Sequence, residues 1–387
     1  MYIKIKNSKR ENKMKVAIVT LPGHFNYGNR LQNYALQEFI SNYAEIVETL
    51  WFGKNEWDNP FAYLPELKRN KFDKIYFKNF LKYILNWKGA RKKEKNYGKD
   101  CIRQYNIKKF SDKYINIKYD YKIDERLNDI YDYFIVGSDQ IWFLSMDFSY
   151  IRFLRFAKID KRIAYAPSFG ISKLPNKNIN KNKLKQFFNE MKSISIREKA
   201  GANILYNLIG KDVPVLVDPT ILLSKEKWQK LELKPKWYNG EKYILTYFLG
   251  NPSLIIENLA KKNDWKIYNL MDSNNLDLYV SKVEEFLFLI HHAELVVTDS
   301  FHGTVFSILM NTPFLVVNRQ QKGVADMTSR IDTLIELFGY QDRYIVNGEC
   351  NLSDEEILYM DFNNVKVIQE REIKRSTAYL KKALNLE

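Results

Sequence analysis

Within this chain of 387 residues, the stretch from Ala293 to Asn318, AELVVTDSFHGTVFSILMNTPFLVVN, does most to limit the fold. A short apolar run, Leu295 to Thr298, breaks into the polar turn Asp299-Ser300-Phe301-His302-Gly303. Apolar residues then return at helical spacing (Val305, Phe306, Ile308, Leu309), and a second β-type run, Phe314 to Val317, follows Thr312-Pro313. The pattern predicts strand, turn, helix and strand, with the helix over 303–311. In an open parallel sheet this order puts the turn at a strand's carboxyl end, where such folds bind ligands. It also puts the turn at a helix start, whose N–H groups and dipole favour an anion. Gly303 lets the backbone come close, and His302 adds a proton or a positive charge. The plain alternative is a cap at Asp299 or Ser300 with His302 packed inside. A polar cluster between two apolar runs favours a site.

Earlier in the chain the same grammar recurs. Strand Lys15 to Thr20 leads into His24-Phe25-Asn26-Tyr27-Gly28-Asn29-Arg30, and a helix is predicted from about Leu31 to Asn42. Gly28, Asn29 and Arg30 at a helix start suit a phosphate or sugar hydroxyls, although a helix-start Asn is commonly a cap. A buried-type strand, Asp132 to Val136, ends in Gly137-Ser138-Asp139-Gln140. Asp139 there either orients a hydroxyl, acts as a base or caps a turn. Ser193 to Glu198 alternates as a strand that ends at Arg197. Its guanidinium either projects to the same rim, suited to a bidentate hold on carboxylate or phosphate, or pairs with Glu198. From Tyr243 to Val317, strands and helices alternate, which means a parallel α/β sheet.

Length favours two domains. We expect the first over 14–220, with a Lys-, Asn- and Tyr-rich helical insertion at about 55–131, and the second over 221–387, including a C-terminal helix. Residues 1–13 read as a loose basic tail or an early start. Cys101 and Cys350 show no metal-ligand spacing and no nearby partner, which fits a reducing compartment. No apolar run approaches the ~18 residues of a membrane span, so a cytoplasmic protein is expected. The formal net charge of +15 is concentrated between Lys68 and Lys99, where twelve lysines and arginines face only Asp73 and Glu94. Such a block suggests an anionic surface as partner. Phe72, Ile75, Tyr76, Phe80, Tyr83 and Trp87 form an aromatic stripe flanked by lysines; it reads as a helix at a membrane surface or one covering the core. No P-loop, GxGxxG, zinc signature or nucleic-acid motif accompanies the charge.

Five strings occur in order: Asn26-Tyr27-Gly28-Asn29-Arg30-Leu31-Gln32-Asn33-Tyr34-Ala35-Leu36, Gly137-Ser138-Asp139-Gln140-Ile141-Trp142, Ser195-Ile196-Arg197-Glu198, Val217-Asp218-Pro219-Thr220 and Thr298-Asp299-Ser300-Phe301-His302-Gly303-Thr304. Together they resemble the polysaccharide pyruvyl transferase family. The resemblance implies an α/β fold of two Rossmann-like domains facing a cleft, GT-B-like, with the basic insertion in the first. It implies transfer of pyruvate from phosphoenolpyruvate onto a sugar diol as a ketal, releasing phosphate, with no cofactor and no metal. The acceptor would be a lipid-linked saccharide at the inner face of the cell membrane, within exopolysaccharide, capsule or cell-wall synthesis. Peripheral membrane contact through the block at 68–99 would follow; no nucleic-acid partner is expected.

Carried over by position, His302 and Arg197 belong at the donor site with Asp139 as the third catalytic candidate. Asn26, Asn29, Arg30, Ser138, Gln140, Asp299, Ser300, Gly303, Thr304 and Lys322 are candidate substrate contacts. At one position the chain departs from the family, which carries Arg where this chain has Ser300. Lys322, Arg330 or Arg30 then supplies the missing charge, or the donor differs. Two other readings stay open: a GT-B glycosyltransferase using a nucleotide sugar, and a non-catalytic protein that binds anionic glycans.

Overall fold

The computed structural model describes residues 14–52, 87–119, 122–143, 150–174, 180–248, 254–317, 329–345 and 350–387. Lys322, the tail before Met14 and the aromatic stripe between Phe72 and Tyr83 lie outside them, as does most of the basic block.

In the first half the chain runs through β1 (Lys15–Val19), α1 (Tyr27–Ile40), β2 (Ile46–Leu50), α2 (Trp87–Tyr114), β3 (Ile117–Lys118), β4 (Tyr133–Val136), β5 (Arg162–Ala164), α3 (Lys181–Asn189), β6 (Ser193–Ile194) and α4 (Lys199–Ile209). These strands pair in parallel in the order β3-β2-β1-β4-β5-β6, the Rossmann order, whose switch point lies between β1 and β4. The second half follows as β7 (Tyr243–Tyr247), α5 (Leu254–Asn263), β8 (Lys266–Asn269), α6 (Val283–His291), β9 (Leu295–Thr298), α7 (Phe301–Met310), β10 (Phe314–Val317), α8 (Ser329–Phe338), β11 (Tyr344–Ile345) and α9 (Val365–Ala383). Its sheet, β11-β10-β9-β7-β8, is also parallel and switches between β7 and β9. The expected pair of Rossmann-like units is therefore present.

Burial explains why these runs become strands. In β1, Val16 and Ile18 face one apolar layer while Ala17 and Val19 face another, so a continuous apolar run fills both sides of a covered sheet. The layer under Val16 continues without a break into Tyr243, Leu245, Val296 and Phe306 of the second half. Trp228, in the connector, bridges the halves: its ring meets Tyr34 edge-on at 5.8 Å and Phe306 at 5.0 Å.

The expectations differ from the fold in three places. Helix α1 starts at Tyr27, because the Asn26 side chain caps it by accepting from Asn29 N at 3.3 Å. Likewise α7 starts at Phe301 under a Ser300 cap. The polar clusters thus form caps and first turns, where side chains point at neighbours with fixed geometry. The stretch read as an insertion also carries β3, which extends the sheet beside β2, so α2 is part of a crossover between those strands. Finally, α9 belongs with the first half by its contacts. Tyr379 Oη donates to Ala164 O at 2.8 Å, and Tyr165 Oη donates to Ser376 Oγ at 3.0 Å. We propose a division in which the chain crosses over near residue 220 and returns at α9, in place of two consecutive blocks.

Candidate active site

Both switch points open toward each other, and the polar strings meet there. Across the first, Asn29 Nδ2 donates to Asp139 Oδ2 at 3.2 Å, joining α1 to the loop after β4. At the second, Thr298 Oγ1 donates to Tyr247 O at 2.7 Å and accepts from Ser300 N at 3.0 Å, fixing the start of α7. The two ends touch through Gly28: a methyl there would stand 2.1 Å from His302 Nδ1. Only a glycine lets the first turns of α1 and α7 approach this closely.

His302 is 5% exposed, and its Nε2 lies 3.5 Å from Asp218 Oδ2. Among the described residues this nitrogen makes no aligned hydrogen bond. Arg197, 3% exposed, donates from Nη1 to Asp218 Oδ2 at 2.5 Å and from Nη2 to Asp139 Oδ1 at 3.3 Å. Its guanidinium lies over Phe301 at 4.3 Å, so the arginine of one half rests on the helix start of the other. Burial pushes both carboxylates up, yet their partners win. Beside His302 and Arg197 the Asp218 carboxyl falls far below its usual range, and Arg197, followed by His302 and Arg330, holds Asp139 low. Against burial, the same acids raise Arg197, Asp218 before Asp139. Asp218, Asp139 and Arg197 all stay ionised.

A cavity of about 370 Å³ adjoins it, lined among others by Arg197, Asp218, Phe301, Arg330, Arg371 and Arg375. That size suits a small ligand, for which pockets run ~300–1,000 Å³. Arginines from the first half, α8 and α9 line it together with Asp218, Glu336 and Glu372, the last paired with both Arg371 and Arg375.

A family model described as polysaccharide pyruvyl transferase matches residues 26–321, more than half of the chain. This chain belongs to that family. Membership marks it as a transferase acting on polysaccharide, with a sugar acceptor. No curated protein matches it. Among solved structures it is similar to a UDP-GlcNAc 2-epimerase from Neisseria meningitidis, at 14% identity over 96% of this chain and 98% of the other with a TM-score of 0.43. A putative UDP-N-acetylglucosamine 2-epimerase from Listeria monocytogenes gives 12% identity, the same coverage and a TM-score of 0.47. A heptosyltransferase from E. coli gives 13% identity over 93% and 100% of the two chains with a TM-score of 0.38. All three are distant likenesses.

Of the residues nominated from sequence, the fold gathers His302, Arg197, Asp139 and Asn29 into one cluster. Others are held to structural partners. Arg30, 0% exposed, lies over Trp51 at 5.6 Å and donates to Leu21 O and Asn29 Oδ1; burial lowers its pKa to about 10. Ser138 donates to Ala166 O, with its Oγ 3.4 Å from Asp218 Oδ2, and Gln140 packs against Gly170. Thr304 turns back to Ser300 O. Asn26 and Ser300 are caps, and Asp299, partly exposed, precedes the second cap. Gly303 makes its close approach to the Thr298 side chain, and its N–H is taken by Ser300 Oγ at 3.3 Å. The expected anion donors after Gly303 are therefore occupied. The available first-turn N–H groups are those of Phe301 and His302.

One residue of the site, Asp218, escaped nomination, and Gly28, read from sequence as suiting a phosphate, has a different part. Asp218 holds both Arg197 and His302, and Gly28 seats the His302 ring. Asp218 did stand inside one of the five ordered strings, which was the signal available.

Proposed function

We propose that this family member transfers pyruvate from phosphoenolpyruvate to a sugar diol as a ketal, releasing phosphate. The observation that carries the reading is the seat of His302: brought by the second half, it rests on Gly28 and faces Asp218 of the first, beside Arg197. Phosphoenolpyruvate brings a carboxylate and a phosphate; Arg197, Arg330 and the helix start at Phe301 line one cavity, and His302 adjoins it through Asp218.

In the proposed reaction, His302, held by Asp218, protonates carbon 3 of the enol, and the oxygen of one sugar hydroxyl bonds to carbon 2. That hydroxyl's proton passes to a carboxylate. Asp139 has one oxygen on Arg197 and the other on Asn29. It is therefore assigned to positioning Arg197, and the partly exposed Asp299, just before the α7 cap, to accepting the proton. The second hydroxyl then displaces phosphate, which leaves with its electron pair and takes up the second proton. A lipid-linked acceptor at the inner membrane face fits the basic block. Among the described residues, no helix is long and apolar enough to cross a membrane.

Incubating the full chain with phosphoenolpyruvate and candidate lipid-linked sugars should yield an acceptor heavier by one pyruvate ketal together with free phosphate. His302→Ala should abolish both while leaving the melting curve near wild type. Thermal stabilisation by nucleotide sugars but not by phosphoenolpyruvate would favour glycosyl transfer and sink the proposal.

A further inference from the structure

Of the chain's four histidines, two adjoin one another and both reach the same glutamate. His291 ends α6, His292 is its C-cap residue, and Glu232 lies in the connector just past the short helix Lys225–Gln229. His291 Nδ1 is 2.9 Å from Glu232 Oε1, and His292 Nε2 is 3.6 Å from Oε2. One ligand atom from each residue lies within 4.8 Å of the other two. Tetrahedral zinc holds nitrogen and oxygen ligands at ~2.0–2.2 Å, hence ~3.3 Å from each other, so shifts of about an ångström close the set.

The surroundings already orient these ligands. His292 stacks on Phe288 with centroids 4.1 Å apart. On the far side of His291, its Nε2 lies 3.3 Å from Gln229 Nε2. Turned over, that amide accepts the N–H which an imidazole ligating through Nδ1 carries on Nε2. The carboxyl end of α6 contributes partial negative charge at the same point. Two lysines temper it: Lys225 donates to Met310 O at 2.7 Å, and Lys234 lies over Tyr238 at 5.5 Å.

We propose that Glu232, His291 and His292 form a site for one zinc-class divalent ion, with water completing the coordination. Two imidazoles and one carboxylate suit zinc; magnesium and calcium call for oxygen ligands. The ion would cross-link the connector to α6. His291 O accepts from Thr312 Oγ1 just beyond the carboxyl end of α7, the end opposite His302. At 1.5 Å per residue, that helix separates the two places by roughly 15 Å, so the ion has no part in the transfer chemistry.

The test uses the full chain stripped with a chelator, titrated with Zn²⁺ by calorimetry and with Co²⁺ by visible absorption. One ion per chain is expected, with micromolar affinity; His292→Ala and Glu232→Gln should each weaken it more than ~10-fold. His292 is partly exposed, so its variant should fold. Zn²⁺ should raise the melting midpoint of the wild type and leave that of Glu232→Gln unchanged. A Cys101→Ser/Cys350→Ser variant should bind as wild type does. Affinity weaker than about 100 µM, binding that survives His292→Ala and Glu232→Gln together, or binding lost with the cysteines would each overturn the proposal.

Discussion

Replacing Gly28 with alanine tests the joint between the two halves without touching a chemical group. The added methyl would meet His302 Nδ1 at 2.1 Å, Cγ at 2.2 Å and Cβ at 2.5 Å, whereas ordinary contact begins at 3.4 Å. The ring must therefore retreat by about 1.3 Å, the difference between 3.4 and 2.1. A misplacement of ~1 Å at a reacting group costs ~10²-fold in rate. Overpacking costs ~1–3 kcal/mol, and alanine in a helix returns ~1 kcal/mol over glycine, so the net stability loss is ~0–2 kcal/mol. Phosphate release from phosphoenolpyruvate at saturating acceptor should fall about 100-fold while melting moves by only a few degrees. Turnover within about threefold of wild type in Gly28→Ala would refute the seat as a catalytic requirement.

Three other perturbations follow from the same geometry. His24 is buried against Trp51 at 4.9 Å, and burial first, then Arg30, lowers its pKa from 6.5 to about 3. The unfolded chain binds that proton first, so stability complete above pH 6.5 falls progressively toward pH 3; His24→Phe should flatten urea stability between pH 6.5 and 4.5. Arg103 donates to Leu270 O at 3.0 Å and to Tyr279 O at 2.7 Å, lies between the Tyr27 and Tyr279 rings, and so ties α2 to the second half. Arg103→Met should cost ~2–4 kcal/mol in chemical denaturation by leaving both carbonyls unpaired. Asp218→Asn leaves a buried arginine with one carboxylate and should destabilise by ~3–5 kcal/mol at pH 7. Because the folded carboxyl titrates below its unfolded value of 3.8, the wild-type advantage should shrink as pH drops through that range, which acid titration of both proteins would show.

The sheets were legible because parallel strands buried on both faces leave continuous apolar runs such as Val16 to Val19 and Leu295 to Thr298. Helix starts were misplaced at Leu31 and Gly303 because polar first turns look like loops until a cap such as Asn26 or Ser300 is seen bonding. β3 is two residues long, too short for any periodicity to register, and only its pairing with β2 reveals it. Asp218 was overlooked as a site residue because its partners, Arg197 and His302, are 21 and 84 positions away and converge only after both sheets form. The same blindness hid Glu232 from His291.

Charge accounting limits how a donor can bind. Arg197 was expected to present an open fork to the substrate, but both terminal nitrogens are engaged by Asp218 and Asp139. Those two carboxylates already more than balance the arginine, so an incoming phosphate cannot draw on Arg197 as an unspent charge. New attraction has to come from groups outside that trio. Arg330 lies 5.9 Å over Phe301, on the ring that also carries Arg197, and it acts on Asp139 through its field. Together with the first-turn N–H groups of α7 it places positive charge where Ser300 supplies only a cap. On this reading the trio is a rigid bearing for His302. In the proposed reaction the phosphate would be held by Arg330 and the start of α7, leaving the Arg197 ion pairs intact while His302 meets the enol carbon.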